Sequence, residues 1–444
     1  MQIVAYGSQD VYLTTDPEIT FFKTVYKRHT NFAVEAIEQT FNGNADFGRK
    51  VVCSVSRNGD LINNTYLQVQ LPQLSTSMLS LPDGVQGPAY LSWCNSVGHA
   101  LIRNVEIEIG GQKIDKHYGI WLDIWDELTQ DQEKKLGYHQ MIGKYPSEMG
   151  LINNANYERI YYIPLMFWFN RSPGMSLPLI ALQYHEVKIN IEFRDFSELV
   201  VALKSNGTRY QLDNFTTFKT VPSITDCRMY IDYVYLDNDE RQKFAKSDHE
   251  YLIEQLQFTG SESINFSQQS RSVRLNFNHP VKELIWVIQR DENCQSRGTM
   301  FNDWFNYSAA EPGTPIPSQA VDLMADAKIL LNGYERFTVR PQTYFRLVQP
   351  FQHHTRIPDK LIYTYSFALR PEEQQPSGTC NMSRIDTVYL NLDLTPINML
   401  MGMTSSSADQ FKMSQASTGQ ISIFAVNYNV LRVRSGMAGV AFAN

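Results

Sequence analysis

Alternation of apolar and polar residues at a spacing of two dominates this chain, the pattern of half-buried β-strands. Residues 32–41 alternate and residues 49–56 form a second β-run. Residues 61–71 follow, with Leu67, Val69 and Leu71 on one face and Tyr66, Gln68 and Gln70 on the other. Asn58-Gly59 between the second and third runs predicts a tight hairpin, because a type I′ turn needs positive φ at both central residues. Residues 101–109 set Val105, Ile107 and Ile109 against Glu106 and Glu108, and Gly110-Gly111 turns the chain into residues 112–117. Further strands at residues 159–169, 186–193 and 226–236 bring the number to eight. Helical spacing appears twice. Thr15-Asp16-Pro17-Glu18 combines an N-cap, a first-turn proline and a glutamate three residues after Thr15, and Ile19, Phe22, Val25 and Tyr26 continue one stripe. Such a helix could dock on its own domain or reach out to neighbours or an inner surface. Residues 119–142 carry a second stripe through Ile120, Ile124 and Leu128.

The second half repeats the plan, with strands at residues 252–259, 271–277, 281–289, 326–331, 334–339, 360–369, 385–393 and 421–433. Its fourth and fifth strands are joined by Asn332-Gly333, where the first half has Gly110-Gly111. The seventh strands correspond as Val187-Lys-Ile-Asn-Ile-Glu-Phe193 and Val388-Tyr-Leu-Asn-Leu-Asp-Leu394, and an Arg with a Pro close behind follows both sixth strands. These echoes predict an internal duplication of an eight-stranded unit. Eight antiparallel strands with long loops at one end suit a jelly roll, so the expected fold is all-β: a double jelly roll of two tandem β-sandwiches with short helices in the loops. The expected division is an arm at 1–30, a first jelly roll at 31–236, a charged helical linker at 237–250 and a second jelly roll at 251–444.

Composition narrows the function. Of the 444 residues, 43% are hydrophobic and 12% aromatic, which excludes a disordered chain. Charged residues make up 19%, below the usual ~25%, and the net charge of −7 argues against a protein that grips nucleic acid through bulk charge. The odd number of cysteines, widely spaced and without a CxxC, predicts reduced thiols and neither a disulfide framework nor a zinc ribbon. The N-terminus lacks the basic and apolar regions of a signal peptide, and the densest apolar run, at residues 163–169, is far shorter than the ~18 residues that cross a bilayer.

Catalytic chemistry is not in evidence. Residues 137–144 imitate a phosphate loop, but five residues separate the glycines and Tyr145 stands where Ser or Thr would hold magnesium. No GxSxG or HExxH occurs. The adjacent His353 and His354 would point to opposite faces of a strand, unlike an inward HxH pair, and Glu106/Glu108 read as a solvated face. No catalytic, cofactor or metal site is therefore expected. Seven Asn-x-Ser/Thr sequons occur, and four of them, Asn206, Asn214, Asn265 and Asn306, fall in loops that share one end of a jelly roll. These four are the candidate glycan acceptors, if the chain meets a glycosylation machinery.

Several segments are similar to the major capsid proteins of nucleocytoplasmic large DNA viruses, in the algal and giant-virus form. They are residues 5–13 (AYGSQDVYL), 21–28 (FFKTVYKR), 109–118 (IGGQKIDKHY), 172–187 (SPGMSLPLIALQYHEV), 249–258 (HEYLIEQLQF), 376–384 (PSGTCNMSR) and 427–436 (NYNVLRVRSG), in order along nearly the whole chain. The resemblance implies a structural protein without enzymatic activity: a double jelly roll whose homotrimers form pseudo-hexagonal capsomers tiling an icosahedral virion shell assembled in the host cytoplasm. It also implies contacts with neighbouring capsomers, minor capsid proteins and an inner viral membrane, with no direct nucleic acid binding. It would place the long loop at 290–325 outward as a tower, the loop at 119–158 over a neighbour, and the arm, residues 1–29, inward. The alternatives are a minor capsid protein of related fold and a β-sandwich lectin or glycoside hydrolase.

Overall fold

A computed structural model describes residues 7–81, 87–206, 209–210, 217–294, 302–309, 322–395 and 418–442. Every expected strand of the first half appears: β1 (Phe32–Gln39), β2 (Lys50–Ser54), β3 (Leu61–Leu71), β4 (Ile102–Ile109), β5 (Gln112–Tyr118), β6 (Arg159–Pro164), β7 (Val187–Phe193) and β8 (Asp226–Leu236). The second half supplies β9 (His249–Phe258), β10 (Ser270–Arg274), β11 (Pro280–Arg290), β12 (Met324–Leu331), β13 (Tyr334–Glu335), β14 (Tyr363–Ser366), β15 (Val388–Leu394) and β16 (Thr418–Arg434).

The two halves pair identically. The first sandwich has sheets in the order β1-β8-β3-β6 and β2-β7-β4-β5; the second has β9-β16-β11-β14 and β10-β15-β12-β13. All of these pairings are antiparallel. This order, in which consecutive strands alternate between facing sheets except at the β4–β5 and β12–β13 hairpins, is a jelly roll, present twice. The turns that join β4 to β5 and β12 to β13 have positive φ at both central residues: Gly110 and Gly111 at 58° and 83°, Asn332 and Gly333 at 50° and 78°.

Apolar faces close two cores. Val105, Ile107, Ile189, Met229 and Trp93 fill the first sandwich, and Trp286, Ile329, Phe345, Tyr363 and Leu390 fill the second. The first core continues into Ile285, Val287, Phe424 and Val426 of the second sandwich. β11 and β16 therefore bury both faces: Leu284, Trp286, Ile423 and Ala425 point into their own core, while Ile285, Val287 and Phe424 pack on the first sandwich.

Four local expectations are corrected. Asn58-Gly59 is no hairpin: β2 and β3 lie in opposite sheets, and neither residue has positive φ. The glycine is there for space, since a Cβ would sit 2.9 Å from the Cβ of Tyr233. The arm is not helical from Thr15 onward. Only Val11–Thr14 forms a turn of helix, Thr15 is extended, Asp16 has φ of 50°, and Ile19, Phe22, Val25 and Tyr26 lie exposed. A helix of about a dozen residues is marginal without a surface to bury its stripe on, and this stripe has none among the described residues. Residues 119–142 form two helices, α1 (Gly119–Thr129) and α2 (Lys135–Ile142), because Gln130 adopts an extended backbone. The second half's fifth strand shrinks to the two residues of β13, with Arg340–Pro341 pairing separately on β12. Between the sandwiches α3 (Asn238–Lys246) is capped by Asp237, whose side chain accepts from the Glu240 N–H at 2.9 Å.

Gly333 has open space around the position of a Cβ, so its constraint is backbone conformation alone. Gly333→Val should lower stability by about 1–2 kcal/mol through a β-branched residue held at positive φ. The shift of the urea midpoint measures it, and an unshifted midpoint would refute the turn assignment.

Candidate assembly surfaces

The seam between the sandwiches is built around α1. The helix starts at Gly119 immediately after β5, and only glycine fits there, because a Cβ would lie 2.4 Å from the carbonyl oxygens of His99 and Ile102. One side of α1 is apolar. Trp121 packs on Phe424 with ring centroids 5.5 Å apart, and Phe258 stacks on the same ring at 4.6 Å. The other side carries Asp123, Asp126 and Glu127, all buried. Carboxylates taken out of water at this depth must be paired, and the second sandwich supplies much of the pairing. Lys360 donates to both oxygens of Asp123 at 2.5 and 2.7 Å, and the Tyr307 hydroxyl donates to Asp123 at 3.0 Å. Glu127 accepts from Arg356 at 3.1 Å, from the Asp359 N–H at 3.1 Å and from Lys144 at 2.6 Å. Burial works to raise the Glu127 carboxyl, but Lys144, Lys360 and Arg356 outweigh it and hold it down to about 2. Burial wins at Asp126, which is raised despite Lys144.

A second charged cluster closes the same seam. Glu254 of β9 lies between Arg171 of the first sandwich at 2.5 Å and the fully buried Lys282 of β11 at 2.6 Å. The Arg171 guanidinium also stacks over Trp125 of α1, 4.0 Å from the ring centroid. Beside Lys282, the buried Glu283 faces His354 at 3.1 Å, and Glu372 accepts from the other ring nitrogen at 2.8 Å. Burial opposes charge on His354, yet Glu283 and Glu372 overcome it and lift its pKa to about 9.

The chemistry foreseen as missing can be placed residue by residue. His353 and His354 end a helix, not a strand; His353 bonds the Leu369 carbonyl at 3.0 Å and His354 is an ion-pair partner. Glu106 is tied to Lys50 at 3.1 Å. Among the described residues no group of three His, Cys, Asp or Glu side chains is arranged to hold a metal. Of the sequons, Asn206 and Asn265 are exposed, and Asn214 lies outside the described residues. Asn306 is only 3% exposed. Its amide donates to Asp303 at 3.1 Å and its carbonyl oxygen accepts from the Ser308 hydroxyl at 2.7 Å. Strand alternation discloses none of the seam charges. One signal was available: three acids within five residues of a helix that also carries Trp121, Ile124, Trp125 and Leu128 have no polar face left to occupy.

What remains uncovered is apolar. The arm exposes Tyr12, Leu13, Phe21, Phe22 and Tyr26, with Phe21 and Phe22 at 92% and 99%. Isolated monomers rarely leave so many large apolar side chains in water, and such surfaces mark contacts with other molecules.

The comparisons agree with this architecture. Residues 20–237 match the family model described as the major capsid protein N-terminus, and residues 240–439 match that of the large eukaryotic DNA virus major capsid protein. The chain is 46% identical to the major capsid protein of Pyramimonas orientalis virus and 40% identical to that of Paramecium bursaria Chlorella virus 1, each covering 100% of this chain and 99% of the relative. The crystal structure of VP54 of the latter virus, PBCV-1, superposes with a TM-score of 0.73 at 35% identity, over 96% of this chain and 100% of that one. The Faustovirus major capsid protein shares the fold at 13% identity, with a TM-score of 0.73 over 97% of this chain and 94% of that one.

The His354 cluster makes stability depend on pH. The folded pKa of about 9 exceeds the ordinary histidine value of 6.5, so the stabilisation is complete below pH 6.5 and is lost as pH rises through 9. Unfolding free energy should fall across that window by on the order of 3 kcal/mol. His354→Gln should be less stable at the lower pH and should lose this slope; an unchanged slope in urea titrations would refute the assignment.

Two jelly rolls in tandem, locked at a dry seam and leaving an apolar arm for other molecules, are a shell-building design, and the chain belongs to the major capsid protein family of large eukaryotic DNA viruses, as a structural protein of the virion capsid and not an enzyme.

Proposed function

We propose that three copies of this chain form a pseudo-hexagonal capsomer that tiles an icosahedral shell. One observation carries this reading: the two sandwiches have the same strand order. Three chains then present six similar lobes, which lets a three-fold object occupy a near-hexagonal lattice site. The working division is an arm at 1–30, a first jelly roll at 31–236, a linker at 237–250 and a second jelly roll at 251–444.

The exposed arm, with Lys23, Lys27 and Arg28 among its aromatic residues, is the segment offered to minor capsid proteins and an inner membrane on the interior side. A net charge of −7 supports a shell that encloses its genome without holding it. Asn206 and Asn265, both exposed, are the acceptors best placed for glycans at the loop-rich end, and Asn214, outside the described residues, stays a candidate on its sequon alone. Assembly would take place in the host cytoplasm, where the thiols of buried Cys53 and Cys94 stay reduced.

The test is native mass spectrometry of the purified full chain at micromolar concentration. A mass of three chains is expected. A stable monomer, or a dimer with two-fold symmetry, would overturn the capsomer reading.

A further inference from the structure

The duplicated fold allows one sandwich to be used as a template for the other. In the second sandwich, Ile285 of β11 and Phe424 of β16 are directly opposed on the outward face of the sheet. Both are 0% exposed, because the first sandwich covers them with Trp121 of α1, the helix that follows its fifth strand. The topologically equivalent pair in the first sandwich is Tyr66 of β3 and Tyr230 of β8, also directly opposed. Their rings stack at 5.3 Å, and Tyr162 of β6 meets Tyr66 edge-on at 6.2 Å. Among the described residues this pair is only half-buried, unlike its counterpart. A cleft of 420 Å³ opens beside it, walled by Met141, Pro164 and Met166 and edged by Asp232.

The corresponding helical segment of the second sandwich, after its fifth strand, is Tyr344–His353. It buries Phe345 and Gln349 against its own sheet and turns Leu347, Val348 and Phe351 outward, the last 76% exposed. The chain thus contains one covered copy of a contact and, separately, both uncovered halves of a second. Charge follows the same division. The open face of the first sandwich is edged by Glu38, Asp226 and Asp232 against Arg228, whereas the approach to the helical segment carries the exposed Arg336 and Arg340.

We propose that the second sandwich of one copy seats Leu347, Val348 and Phe351 on Tyr66, Tyr162 and Tyr230 of the next copy, repeating between chains the seam that α1 makes within the chain. The two patches differ, so the contact is head-to-tail, and a ring closes where the rotation between copies is one third of a turn. The inference rests on the trimer reading above and names its contact.

The experiment compares the full chain with Phe351→Lys, Tyr162→Asp and the double variant by native mass, after cooperative melting has shown each to be folded. Each single variant should lower the trimer fraction at least tenfold, and the double variant, with the opposite charges facing across the contact, should recover it. A parent chain that is not a trimer overturns the capsomer reading itself. A trimeric parent whose single variants remain fully trimeric, or whose double variant stays dissociated, overturns this contact and leaves the trimer to other surfaces. Should either single variant fail to fold, Phe351→Cys/Tyr162→Cys treated with a short bis-maleimide gives the second readout. An interchain ladder that requires both cysteines supports the contact, and its absence from a trimeric sample refutes it.

Discussion

The β9-β16-β11-β14 sheet has no face in water along its central strands, and most of the molecule's organisation follows from that. A jelly-roll sheet usually buries one face and solvates the other. Here the outward face is also dry, so Ile285, Val287 and Phe424 are apolar, and the charged groups that share the face cannot stand alone. Glu254, Lys282, Glu283 and His354 are each matched by a partner, and Arg171 from the first sandwich completes the set. Removing one member of a buried pair typically costs about 3–5 kcal/mol, because the other charge is left without water. The seam therefore fixes the relative placement of the sandwiches more strictly than apolar packing would, since displacing them separates several charges at once.

That constraint explains what the sequence discloses. Strands buried on one face, such as β4 and β7, declare themselves by alternation, and all sixteen principal strands overlap the expected regions, with ends that differ by a few residues. Asn332-Gly333 is legible because its surroundings agree with its local preference: Gly333 has open space, and the Asn332 side chain accepts from the Thr387 N–H at 3.1 Å. Asn58-Gly59 has the same local preference, but the crossing from one sheet to the other overrides it. The arm misleads in the opposite sense: its helical stripe is real as a pattern, yet helices of that length take their stability from packing, and the described residues offer no surface. The seam was least legible. Val281-Lys-Glu-Leu-Ile-Trp-Val-Ile288 breaks strict alternation, as a doubly buried strand does, but periodicity alone does not identify what covers the second face.

The two outward faces differ in a way that suits their histories. Ile285 and Phe424 meet their cover as the chain folds, so they can be wholly apolar. Tyr66, Tyr162 and Tyr230 occupy the equivalent place on a face that, on the proposed contact, the folded monomer would carry through solution before meeting another copy. Tyrosine suits that condition, since the ring offers a large contact area at little entropic cost while its hydroxyl keeps the surface wettable. A Phe or Ile at those positions would strengthen a capsomer contact but would also make the free monomer prone to indiscriminate association. On the proposed capsomer, the duplicated fold uses one contact twice: the copy at the seam is made permanent inside the chain, and its counterpart would be left to mass action. The arm carries the opposite chemistry: Phe21 and Phe22 are wholly apolar and almost fully exposed, without the hydroxyl that makes the tyrosine face wettable.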